Sequence, residues 1–406
     1  MKDSMDNIDQ FDQFFKNSHY DILRLLLSGT GLWPFQTLKR RCAIYLAMIF
    51  VVGSGFTFEI LGLMEVWHDI FELIDALPVL FFALISLSKL IYAVYTFSKL
   101  KLLLISMREY SLSSKSDEET KIYNLHALYG RKFGYIYTSL MVGHFVIFQI
   151  MTLLTRINYK GPEEKNISSN NEQKTQVGLV YPANYMIDMD TYYVPIFIHM
   201  ALCEMTYTFL LATFDVLYVT SVECCCGLFE GLRYRLENAF KFENNNDGLT
   251  QDISYSNIAY SIQRHIKTMQ FVAIMESIYS LPLFIHVGII ILMLSIVGFQ
   301  MITNTNDINN LIKHSSYINI ITINIFFENW QGQKIIDSSE KVFESAYNTE
   351  WYNMPIPARK LLIMVIMASK KPLRLTMGKI FTMSYVTFNA VMRTSMSYFT
   401  LLLSMQ

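Results

Sequence analysis

Charge is scarce in this sequence. Asp, Glu, Lys and Arg make up 17% of the 406 residues, against about a quarter of a typical soluble domain. The net charge of −1 leaves no basic footprint for nucleic acid. Cysteine is equally sparse. Cys42, Cys203, Cys224, Cys225 and Cys226 include none in a segment read below as external, so no extracellular disulfide framework is expected. The run Cys224–Cys226 has no zinc spacing, and no metal site or cofactor is expected. It reads as plain thiols at a packed helix end, with S-palmitoylation as the alternative. Enzyme signatures are missing too: there is no HExxH, P-loop, GxSxG or GxGxxG pattern, and Gly53-Ser54-Gly55 lacks the third glycine. An enzyme is therefore not expected.

What the chain has is apolar mass. Hydrophobic residues make up 52%, with 29 Phe, 25 Tyr and 23 Met, and the mean hydropathy is +0.29. Several separate apolar runs are long enough to cross a hydrocarbon core of about 30 Å. The fold class is an all-α, polytopic membrane protein. Seven transmembrane helices are expected, at about 42–64, 73–97, 133–155, 192–222, 271–299, 312–327 and 381–403. The start, MKDSMDNIDQFDQ, is acidic and has no signal-peptide core, so the first span is expected to do the targeting. Phe14–Leu27 reads as a short amphipathic segment broken by Gly29, Gly31 and Pro34. The pattern of span four continues through Leu228, Leu232 and Leu236. The short apolar run 361–368, flanked by Arg359, Lys360, Lys370 and Lys371, reads as a helix packed on the inner ends of the others; an interfacial helix is the alternative.

Basic residues set the orientation. With the N-terminus cytoplasmic, 26 of the 33 Lys and Arg fall on inside segments, and 5 fall outside. The C-terminus is then extracellular. The sequon at Asn166, a glycosylation candidate, falls in the long loop placed outside. Four parts follow: a cytoplasmic segment 1–41, helices one to six over 42–330, an inner anchor region 331–380 and the last helix over 381–406.

That last helix has an ordered polarity. Thr382, Asn389, Arg393, Ser397, Thr400 and Ser404 recur at steps of seven, four, four, three and four, which return to one face at about 100° per residue. Such a wet stripe is either a polar seam inside a bundle or, with copies around an axis, the lining of a pore. Arg393 must face water, a carboxylate or another helix. Other ionisable residues also lie inside spans. Lys89 is expected to snorkel to the inner interface. His144 and Glu204 read as a structural pair or as ligand contacts. Aromatic and Met residues crowd the outer halves of the spans: Phe81, Phe82, Phe145, Phe148, Tyr193, Phe197, Met200 and Tyr317. They serve packing or line an apolar pocket for a small molecule.

The C-terminal third carries Gly332, Ser338-Ser339, Val342, Ala346-Tyr347, Trp351, Lys371-Pro372 and the run Ser397 to Leu403. With Tyr181-Pro182 and Asp188-Met189-Asp190, these residues resemble the insect odorant receptor family. The resemblance implies an odorant-gated, non-selective cation channel subunit in the plasma membrane of olfactory sensory neurons. Its implied partners are an odorant-receptor co-receptor in a heterotetramer, a small volatile ligand and the lipid bilayer. It implies a pore along the last helix, with Leu401 and Met405 at the hydrophobic gate and Ser404 at a polar pore position; Ser397 and Thr400 share that stretch. It also implies a ligand pocket among helices two, three, four and six, for which Phe81, Phe82, His144, Phe148, Phe197, Met200 and Tyr317 are the candidates. Leu401 and Met405 lie about 60° and 100° round the helix from Ser404, so they flank the polar stripe. A gustatory receptor is the nearest alternative, but the closing pattern here departs from that family at Ser397-Tyr398 and Ser404-Met405. The short loop 240–251 points to a tuning subunit and away from the co-receptor. A seven-helix G-protein-coupled receptor would need an external N-terminus and an Asp-Arg-Tyr-like box, which span three lacks. A transporter would show paired, broken half-repeats.

Overall fold

The computed structural model describes residues 2–68, 70–113, 116–158, 183–187, 191–239, 250–303 and 308–405. In chain order the helices are α1 (Lys2–Asn17), α2 (Asp21–Gly29), α3 (Leu38–Glu65), α4 (Ile70–Tyr95), α5 (Phe97–Leu112), α6 (Asp117–Asn158), α7 (Tyr193–Glu237), α8 (Thr250–Thr303), α9 (Ile308–Tyr347), α10 (Ile356–Ser369) and α11 (Tyr385–Ser404). Between α10 and α11 two short strands, β1 (Thr376–Met377) and β2 (Phe381–Thr382), pair antiparallel. The polar triad Asp188-Met189-Asp190, Tyr181-Pro182, the sequon at Asn166 and most of the loop 240–251 lie outside the described residues.

Among the described residues, five helices are long and apolar enough to cross a membrane: α3, α4, α6, α7 and α8. α9 and α11 lie alongside them with more polar residues along their length. The chain alternates direction through the bundle. α3 ends, α4 begins, α6 ends, α7 begins, α8 ends, α9 begins and α11 ends at one end, called the upper end here. Gln300, late in α8, reaches Ile74, early in α4, and Tyr317, early in α9, reaches Pro78. α1 and α2 close the lower end, opposite the end at which α11 finishes.

α7 is the axis. Positions Leu210 to Glu223 are buried without interruption, so its apolar pattern wraps the whole circumference, as a central helix requires. Its lower half runs on to Glu237, and Leu228, Leu232 and Leu236 stay buried, as their spacing foretold. α6, α8 and α9 likewise extend well past the apolar runs. No break separates spans from an anchor region at residue 330, because α9 runs unbroken through it. The run 361–368 forms α10, whose Ala358, Leu362 and Val365 are buried in the core; it packs on the lower ends of α8 and α9. Cys225 and Cys226 are buried and Cys224 is half-buried; they are packed as expected, but inside α7 and not at its end, because the helix runs on to Glu237.

Local chemistry explains the joints. α2 stops at Gly29, and Gly31 takes a left-handed φ of +72°, a conformation glycine adopts without cost. Pro78 lies inside α4 and has no N–H for the carbonyl of Ile74. Gln300 Nε2 supplies the missing donor at 3.0 Å. The last helix begins four residues later than its apolar pattern suggests. Phe381 and Thr382 belong to β2, and Ser384 caps the helix by accepting from the Thr387 N–H.

Candidate functional site

At the upper end α4, α6, α7 and α9 bring most of the predicted pocket residues together. Phe82, His144 and Phe148 each approach Tyr317, with ring centroids 6.5, 5.5 and 6.2 Å away. Phe148 also shares a buried cluster with Met200 and Ile196, against which Phe197 packs. Phe81 is half-buried and packs against the main core that contains Tyr317. Lys313 Nζ sits 4.4 Å from the Phe148 ring centre, a cation–π contact. The described part of the loop before α7 closes over this region. Phe58 stacks on Tyr185 with centroids 4.2 Å apart. The Tyr185 hydroxyl lies 2.7 Å from His199 Nδ1, and Ser54 Oγ lies 3.1 Å from His199 Nε2. Because Ser54 donates to the Val51 carbonyl, its oxygen is free to accept from Nε2–H, and the tyrosine then donates to Nδ1.

His144 and Glu204 do not pair. Glu204 accepts from Gln149 Nε2 at 2.5 Å and feels the charge of Lys313, while His144 turns to the aromatic cluster. Both belong to the upper site.

Lys89 does not snorkel. It is 2% exposed and forms the centre of a buried charge network halfway down the bundle. Its Nζ lies 2.8 Å from Asp215 Oδ1 and 3.4 Å from Glu328 Oε1. Glu328 also faces His286 Nδ1 at 3.0 Å, and Asp215 accepts from the Tyr137 hydroxyl and from Asn324 Nδ2. Five helices thus meet at charges that water does not reach. Two carboxylates hold the ammonium because an isolated buried charge is far costlier than a paired one. The sequence reading missed Asp215, Glu328 and His286. Asp215 is a carboxylate inside the longest apolar run, which is itself a signal. Glu328 was hidden by drawing the end of span six one residue too early.

α11 turns two different faces outward and inward. Val391 and Ser395 are buried against α8; Ser295 Oγ donates to the Ser395 carbonyl at 2.9 Å, and Phe399 packs on Gly298. The opposite face carries Asn389, Arg393, Ser397, Thr400 and Ser404, all exposed on the single chain, with Leu401 56% and Met405 74% exposed beside them. The hydroxyls of Thr400 and Ser404 donate to the carbonyls of Ser397 and Leu401 within the helix. The stripe is therefore not a seam inside this chain's own bundle. At its lower end α11 is tied to α9: Asn329 Oδ1 accepts the Ser384 N–H at 3.2 Å.

A bundle of long antiparallel helices around a buried central one, with an aromatic cluster at one end and a polar-faced last helix, defines a polytopic helical membrane receptor. The sequence profile described as 7tm odorant receptor matches residues 69–396, and the chain belongs to that family. Among similar proteins, Odorant receptor 13a of Drosophila melanogaster is 27% identical over 191 residues, covering 44% of this chain and 45% of that protein. Putative odorant receptor 85d of the same species is 30% identical over 109 residues, 27% of this chain and 26% of that protein. The chain thus aligns with less than half of either relative's length. The Drosophila melanogaster odorant receptor coreceptor is 25% identical over 166 residues, 40% of this chain and 34% of that protein. In three dimensions the chain is similar to the insect olfactory receptor OR5 from Machilis hrabei in complex with eugenol. The TM-score is 0.81 with 14% identity, over 98% of this chain and 100% of that one, a shared fold.

Proposed function

We propose that this odorant receptor is the tuning subunit of an odorant-gated, non-selective cation channel. α11 lines the pore, and the ligand sits in the upper cluster of α4, α6, α7 and α9. The observation that carries the reading is the outward polar face of α11. It points away from every helix of its own chain, as a lining shared by several subunits around an axis must. In this reading Ser397, Thr400 and Ser404 line the path, and Leu401 and Met405 form an apolar constriction that blocks ions by dewetting. All seven long helices cross the bilayer, with the lower end cytoplasmic and the upper end extracellular. The basic residues concentrate on the lower segments, which supports this orientation. The partner is the odorant-receptor co-receptor in a heterotetramer, placed in the plasma membrane of olfactory neurons.

Gating follows from linkage: a ligand opens the channel only if it binds the open arrangement more tightly than the closed one. Tyr317, Asn324, Glu328 and Asn329 lie along the single rod α9. The rod connects the ligand cluster, the buried charge network and the start of α11. A small displacement at Tyr317 reaches the Ser384 cap through one continuous helix. The test is current recording across an odorant panel, with and without the co-receptor. Ligand-dependent cation current that requires this chain supports the proposal, and none from any compound refutes it.

A further inference from the structure

Among the described residues, the upper cluster holds buried acceptors with few donors. Glu59 on α3 is 4% exposed, and neither carboxylate oxygen makes a well-formed hydrogen bond. The Tyr207 hydroxyl is the donor beside it, shared with the Val52 carbonyl at 3.4 Å. Tyr207, beside Glu59, lies 6.3 Å from the Phe82 ring, and Phe82 lies 6.5 Å from Tyr317, which sets the carboxyl next to the aromatic cluster. Gln149 spends an amide N–H on Glu204, and its Oε1 is buried without a partner. Among the described residues Lys313 lies over Phe148 and Arg156 over Tyr193.

A buried carboxyl served by one shared hydroxyl is a costly arrangement that a ligand can relieve. From these groups we infer that the receptor takes a small amine, its ammonium donating to Glu59 and its apolar tail lying against Phe82, Phe148 and Tyr317. The inference rests on the upper cluster being the odorant site. An ammonium is all donor, so it matches the surplus of acceptors. Its bond to a carboxylate is charge-assisted, and the aromatic faces around it attract cations. A ligand bearing only ester or ether oxygens brings further acceptors.

The test uses the full chain co-expressed with the co-receptor. Probes are phenethylamine and hexylamine, each against the hydrocarbon in which a methyl replaces the amino group, propylbenzene and heptane, with methyl benzoate as a neutral oxygenated odorant. Both amines should open the channel at lower concentration than their hydrocarbon partners. Glu59→Gln keeps the shape and removes the charge, and should raise the half-maximal amine concentration at least about tenfold while leaving any neutral response within about twofold. Surface labelling confirms that the variant reaches the membrane. Should it not, the purified wild-type chain still decides the point: phenethylamine must raise its melting temperature more than propylbenzene does. Currents to methyl benzoate with none to amines overturn the amine assignment and leave the receptor reading in place. An equal loss of amine and neutral responses in Glu59→Gln overturns it too. Silence to every probe and to the wider panel overturns the receptor reading itself.

Discussion

At the scale of single residues, two positions show how the bundle is held. Lys89 sits between Asp215 and Glu328 with no route to water. Lys89→Met removes the cation and strands two buried carboxylates, at a cost of about 3–5 kcal/mol. The expected outcome is a sharp fall in surface expression, partly restored when Asp215→Asn is added. Quantitative surface labelling of the single and double variants checks this, and an unaffected single variant would mean the network carries little stability. Gly332 is the second position. A Cβ there would lie 2.2 Å from the Met383 Cβ and 2.6 Å from its carbonyl oxygen, where no side chain can yield enough. Gly332→Ala should force α9 and the strand hairpin apart and lower the melting temperature of the purified chain. Gly143→Ala, where an added Cβ meets nothing within 4 Å, should leave it unchanged or slightly raised. Gly332 was visible in the sequence as part of a family-like pattern, but its reason was not. The reason is a backbone crossing between segments fifty residues apart, which no local spacing encodes.

At the scale of elements, periodicity showed more than apolar length. The 3.6-residue pattern carried α7 correctly to Leu236. The apolar windows cut α6, α8 and α9 short, since polar residues on their lower halves are buried by partner helices rather than by lipid. Glu119 on α6, for example, is buried while accepting from Arg235 on α7. The polar stripe of α11 was equally legible, whereas its direction was not: a stripe at helical spacing looks the same whether it meets a neighbour or water. The structure separates the two, because the buried residues Val391 and Ser395 lie opposite. Two outcomes follow for this helix. In the proposed channel Leu401→Ala would widen the apolar constriction and should raise ligand-independent current in cells carrying the co-receptor; unchanged basal current would place the gate elsewhere. Asn329→Leu removes the acceptor for the Ser384 N–H and loosens the lower attachment of α11. It should shift the odorant concentration for half-maximal current with little change in surface level, read from paired dose–response and labelling experiments. A matching loss of both would make Asn329 a folding residue only.

At the scale of the whole molecule, the receptor divides into an upper region that holds aromatics and unpaired acceptors, a middle layer of paired charge and a lower region of interlocked long helices. α9 runs through all three, and α11 leans on it from below. In this account ligand binding changes the upper region, the charge layer keeps the five helices in register, and the lower region fixes the base of the pore. Ions then pass along the face of α11 that carries Ser397, Thr400 and Ser404. The most direct test is cysteine substitution along α11 in the assembled channel, followed by a charged, water-soluble thiol reagent during odorant-evoked current. Ser397→Cys, Thr400→Cys and Ser404→Cys should each lose current on exposure to the reagent relative to the parent chain, and Ser395→Cys, on the buried face, should not. Block at Ser395→Cys with none at the other three would place the ion path elsewhere and contradict the account.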